Sequence, residues 1–355
     1  MSFNVKRQGA SIAVLALIIV IGFFSGFFAT HLIMGVAEVD TRSGDSSPDV
    51  TDPDVIAAVF TPLPTFHPAS QLSPTEAITP PPTLQIVPDT YNMDTLASLI
   101  YGEIGEYVSN WQVVIAPLDN RYKSISCCQG VDASDKMISA SLIKLFVMAA
   151  VYDEIYNSYD TAEAMEDDVS ESLYLMIANS DNKATNRLLE WLGEGSLSKG
   201  LESVNRYCEN NGFYSTEITR QMVISSSQKI TSQNYTSAQD CADLLYMIYN
   251  GNCVNEDYSA KMLEMLKAQT RLDKIPQGIL NAGGFKDGEW VANKTGELAI
   301  DSVVHNDGAI VSSQNIDYII CVLGQDILSD SQGISAVQNI STITYEFFNP
   351  RWEEE

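Results

Sequence analysis

Three short stretches hold side chains able to do chemistry together. In Ser141-Leu142-Ile143-Lys144 a hydroxyl and an amine stand three positions apart, which on a helix puts them on one face. A serine attacks a carbonyl only when something takes its proton, and an amine held out of water can take it. Ser180-Asp181-Asn182 interrupts a helical pattern with a second hydroxyl, a carboxylate and an amide. Lys294-Thr295-Gly296 follows the strand-like Trp290-Val291-Ala292-Asn293 with a second amine. Each stretch has an ordinary explanation: a helix start capped by Ser141 with Lys144 snorkelling, a loop, and a strand exit. Their combination in this order is what asks for more.

The elements that must position them follow from periodicity. Apolar spacing predicts a helix over 93–107, then two strands over 111–118 and 122–128 around the Asp119-Asn120 turn. Helical patterns follow over 142–156, 169–178, 183–191, 197–210, 238–249 and 258–268. Strands return over 290–294, 308–312 and 318–324, and a helix over 333–348 closes the chain. Strands near both ends with helices between predict one sheet built from distant parts of the chain, with a helical insertion packed against it. Residues 91–350 read as a single cooperative domain.

What precedes the domain is of two kinds. Residues 10–37 contain no Asp, Glu, Lys or Arg and are long enough to cross a bilayer as a helix. Lys6 and Arg7 before it, with Glu38 and Asp40 after, hold residues 1–9 in the cytoplasm and send the rest outside. The segment reads as a retained signal-anchor, although Gly35-Val36-Ala37 gives it the small-x-small end of a cleaved leader. Residues 38–89 carry ten of the thirteen prolines among Thr, Ser and Asp, and read as an extended, disordered stalk.

Composition narrows the partners. Against 20 Lys and Arg stand 46 Asp and Glu, a formal net charge of -26, which argues against nucleic acid and against an anionic membrane surface gripped by the globular part. The six cysteines and three histidines have no zinc-site spacing, so neither a structural metal nor a cofactor is expected. The domain reads as a monomer, tied to the membrane through its N-terminal helix.

Ser-x-x-Lys, Ser-Asp-Asn and Lys-Thr-Gly in that order form the serine β-lactamase and penicillin-binding signature. The chain resembles the class A β-lactamase-like serine hydrolases over essentially the whole globular region. Ile138 to Leu145, Tyr235-Thr236-Ser237-Ala238-Gln239-Asp240 and Asn306-Asp307-Gly308 add to the likeness. The resemblance implies an α+β, three-layer α/β/α fold of the β-lactamase/DD-peptidase kind: a five-stranded antiparallel sheet with an all-helical lobe. It also implies roles. Ser141 is the acylated nucleophile, and Lys144 the amine that activates it, helped by repulsion from Lys294. Ser180 passes a proton to the leaving group, Asn182 holds the substrate amide, and Asp181 braces the loop. Lys294, Thr295 and Gly296 bind the substrate, a β-lactam or a peptidoglycan-type amide. The backbone amides of Ser141 and Glu297 form the oxyanion hole.

Three departures from the family pattern bear on function. A fast class A enzyme needs a glutamate, in an E-x-x-L-N context, to activate the deacylating water. Between Ile218 and Gln239 there is no acid at all, and Glu217 has no such context. No arginine occurs from Leu272 to Pro350 to meet a substrate carboxylate, and His305 is only a partial substitute. The span from Ser141 to Ser180 is short, implying a trimmed helical lobe and a more open cleft. Slow release, as in a penicillin-binding or DD-peptidase-like protein, and a non-catalytic cell-wall binding or sensing module are the competing expectations.

Overall fold

The structure is a computed structural model that describes residues 91–350, apart from 159, 160, 226 and 301. The expected segments 1–9, 10–37 and 38–89 lie outside the described residues. Among the described residues no helix is long and apolar enough to cross a membrane.

Two antiparallel strands, β1 (Asn110–Pro117) and β2 (Ile125–Gln129), follow helix α1 (Met93–Ile104). From the other end of the chain come β5 (Trp290–Ile300), β6 (Ser302–Ser312) and β7 (Tyr318–Gln325). They form one five-stranded antiparallel sheet in the order β2-β1-β7-β6-β5, with the two chain ends joined where Val113 pairs with Val322. A two-stranded ladder, β3 (Met137–Ile138) with β4 (Tyr235–Thr236), lies apart from it. The expected α+β architecture is therefore present.

Alternation along the strands explains the three layers. Val114, Ile319, Cys321 and Leu323 enter one core with the helical lobe, while Val113, Ile115, Ile320 and Val322 enter another with the terminal helices. The lobe comprises α2 (Ile143–Asn157), α3 (Ala162–Ala178), α4 (Asn182–Leu192), α5 (Leu197–Asn210), α6 (Ala238–Tyr249) and α7 (Glu256–Lys267). On the opposite face, α1 packs with α8 (Ile275–Asn281) and α9 (Asp330–Phe348). Helix α2 is buried at every residue from Ile143 to Tyr152, as expected of a helix apolar all round.

Several expected boundaries need correction. Lys-Thr-Gly is not a strand exit, since β5 runs on through it to Ile300 with Lys294 opposite Gly308 and Gly296 opposite Asn306. Helix α3 starts seven residues earlier than expected because its first turns carry Glu163, Glu166, Asp167 and Asp168 and show no apolar period. Helix α8 has no counterpart in the periodicity: seven residues with Pro276 in the first turn are too short to show one.

The loop after Glu217 is held by an amide rather than an acid. Buried Asn186 on α4 accepts from Met222 N at 2.8 Å and donates back to Met222 O at 3.0 Å. Asn186→Ala leaves a buried N–H and C=O without partners, so urea denaturation is expected to show a loss of about 2–3 kcal/mol. An unchanged slope would place the effect in the native state.

Candidate active site

Ser141 sits in a 3₁₀ turn, Ala140–Leu142, that feeds directly into α2, so it stands just ahead of the regular helix, which starts at Ile143. Ala140 takes a left-handed φ of 47° to enter this turn, a conformation an L-residue adopts at a cost. Two contacts fix the turn from behind. Asn306 Nδ2 on β6 donates to Ile138 O and Ser139 O at 2.9 and 3.1 Å. On β5, Gly296 lies so close that a Cβ there would stand 2.7 Å from Ser139 O and 3.2 Å from Ser141 N.

Helical spacing puts Lys144 one turn into the chain beyond Ser141, fully buried. Its Nζ donates to Ser180 O at 2.6 Å and to Asn182 Oδ1 at 2.7 Å, and lies 3.2 Å from Ser180 Oγ. Lys294 Nζ reaches the same hydroxyl from the sheet at 3.0 Å and also donates to Thr295 O at 2.9 Å. Ser180 thus stands between two buried amines, with a left-handed φ of 56°. Asp181 caps α4, its Oδ1 accepting from Ala184 N at 2.6 Å. Asn182 is engaged at both ends, since its Nδ2 donates to Val223 O at 2.6 Å. It bridges the lysine and the loop before any substrate arrives.

Burial decides the electrostatics. Loss of solvation pushes Lys144 down to about 7; Asp181 opposes the shift and Arg271 adds to it. Lys294 is pushed well below the usual lysine range, first by burial and then by Lys144. Desolvation is the larger cause at both amines, and the repulsion between them, which acts on both alike, works in the same direction.

Other residues join the site from stretches without a motif. Arg271 lies one position before the arginine-free stretch, and Lys274 three positions further on. Both meet the side chain of Glu297, beside Gly296: Arg271 Nη1 at 3.1 Å, and Lys274 in direct contact. Lys274 is fully buried at the start of α8, which Asp307 pins to the sheet by accepting from Ile275 N and Asn293 Nδ2 at 3.0 Å each. Glu217 is elsewhere engaged: its carboxylate pairs with Lys136 Nζ at 2.6 Å, both side chains half exposed. His305 is buried, with Nε2 3.0 Å from Asp330 Oδ1. Among the described residues no three of His, Cys, Asp or Glu group to hold a metal.

A model of the beta-lactamase enzyme family matches residues 158–348, more than half of the 355 residues. The chain belongs to the beta-lactamase enzyme family. The matched stretch includes Ser180 and Lys294 but begins after Ser141 and Lys144; the fold brings Lys144 to Ser180 and the backbone of Ser141 against Gly296. Solved structures share the architecture. The β-lactamase of Sphaerobacter thermophilus is 17% identical with a TM-score of 0.58, covering 73% of this chain and 99% of that one. PBP-A is 20% identical with a TM-score of 0.58, covering 72% and 97%. A class A β-lactamase representative from Bacteroides cellulosilyticus is 17% identical, again at 0.58, covering 73% and 98%. No curated protein matches the sequence. At these identities the likeness is one of fold.

Proposed function

We propose that the domain is a serine hydrolase that forms an acyl-enzyme on Ser141 with β-lactams or related peptidoglycan-type amides and releases the acyl group slowly. The observation that carries this reading is the Lys144–Ser180–Lys294 chain of contacts, in which burial brings Lys144 down to about 7, so that a large share of it is neutral near physiological pH. Neutral Lys144 keeps two N–H donors for Ser180 O and Asn182 Oδ1 and has one lone pair to spare. As Ser141 Oγ attacks the carbonyl carbon, its proton passes to that lone pair, and the charge on the carbonyl oxygen is met by the amides of Ser141 and Glu297. Ser180 Oγ, held by Lys294, gives its proton to the departing nitrogen and regains one from Lys144. The C–N bond breaks and an ester on Ser141 remains.

Release needs a base for water. Glu217, the only acid of the expected loop, is tied to Lys136 at the surface, which supports a long-lived ester and favours the penicillin-binding-like alternative over rapid hydrolysis. A variant of PBP-A, a fold neighbour, has been solved as an acyl-enzyme with penicillin G. Residues 10–37 would tether the domain, extracytoplasmic, beyond the 38–89 stalk.

The test is labelling of the full chain by a fluorescent penicillin and by a neutral fluorescent acylating ester. Expected are one adduct per chain on Ser141, slow decay, and no adduct with Ser141→Ala. Sustained cephalosporin hydrolysis would instead require an efficient deacylating base. No adduct with either probe, with cell-wall fragments still bound, would leave a non-catalytic module.

A further inference from the structure

Glu297 places a carboxylate beside the proposed acyl-transfer site. It follows Gly296, whose Cβ direction faces Ser141 N, so by strand alternation the Glu297 side chain leaves β5 on the other face, the one it shares with Thr295. Arg271 and Lys274 both pair with this one carboxylate, and Lys274 also acts on buried Asp307. His305 acts on Glu297 from further off, and Arg271 is near enough to act on both Lys144 and Lys294. Burial opposes the charge on Glu297, yet Lys274 and Arg271 override it and hold the carboxyl below its usual range. Lys274 cannot turn to water, being fully buried and fixed at the start of α8.

We infer that Glu297 is a specificity-determining residue: its carboxylate already occupies the cations that would otherwise meet an anionic acyl donor, and so selects donors that are neutral around the scissile bond. This rests on acyl transfer at Ser141. An incoming carboxylate must either displace Glu297 from two charge-assisted contacts or bind beside it against like charge. A neutral ester or internal amide faces neither obstacle. The net charge of -26 acts in the same direction by slowing the approach of anions.

The experiment compares second-order acylation of the full chain by benzylpenicillin and by its methyl ester, with intact-mass detection of the Ser141 adduct. The unaltered protein is expected to react at least tenfold faster with the methyl ester. Glu297→Gln, which keeps the backbone amide and removes the charge, is expected to speed the free acid at least tenfold relative to the ester. A preference of the unaltered protein for the free acid overturns the inference, whether or not the variant folds. So does a ratio that Glu297→Gln leaves unchanged. Absence of a Ser141 adduct with either compound overturns the acyl-transfer reading, and this inference with it.

Discussion

Lys144→Met is expected to lower the acylation rate of Ser141 by about a thousandfold while the chain still folds. General-base assistance contributes about 10²–10⁴, and in the proposed mechanism this amine, on the helix that follows the Ser141 turn, is the base. Methionine matches the buried stem, so the loss is chemical rather than a cavity. Stopped-flow labelling with a neutral ester checks it, and the pH profile adds a signature. With Lys144 titrating at about 7, the rate for the unaltered protein rises through that region and levels off above it, because only the neutral amine accepts a proton. A flat profile from pH 5 to 9 would remove Lys144 from the role. Stability moves in the same direction. The folded-state value lies below the unfolded one of about 10.4, so the unfolded chain binds more protons between the two. Lys144's contribution to stability therefore increases with pH from about 7 to about 10.4.

Gly296→Ala is expected to cut acylation by about a hundredfold with only a modest fall in stability. The added methyl would meet backbone on three sides, at 2.7 Å from Ser139 O, 3.1 Å from Leu142 N and 3.2 Å from Ser141 N. Backbone cannot swing aside, so the 3₁₀ turn or the strand shifts by a fraction of an ångström. Misplacement of reacting atoms on that scale costs about 10²-fold, whereas overpacking of this kind costs about 1–3 kcal/mol of stability. Labelling rate and urea midpoint, measured on the same sample, separate the two. A variant that acylates normally would mean that Gly296 backs the turn without setting its geometry.

The motifs and the sheet announce themselves in the sequence because they are local. Ser141 to Lys144, Ser180 to Asn182 and the apolar runs of β1 and β7 depend on near neighbours or on burial of both faces of the sheet. What the chain hides is long-range. Arg271, Lys274 and Glu297 come together only because α8 is pinned by Asp307, and no spacing rule links them. Asn306 lies just before the expected strand over 308–312, and only the fold shows its amide holding Ser139. Lys294 to Gly296 reads as a strand end since lysine, threonine and glycine give no apolar alternation, yet pairing with β6 carries the strand onward. Asn186 resembles any polar helix residue, and its bonds to Met222 bridge a loop whose composition alone shows only missing acids.

The sheet that joins both ends of the chain has a consequence for timing. Ser141 and Lys144 leave the ribosome well before Lys294 and Gly296, and pairing between such distant strands is slow to form. Until β5 closes against the nucleophile turn, the serine has its lysine but neither the second amine nor the backing strand. If Ser141 is acylated as proposed, a chain in which β5 has not yet paired would stay unreactive, so acylation would report that β5 has closed on the nucleophile turn.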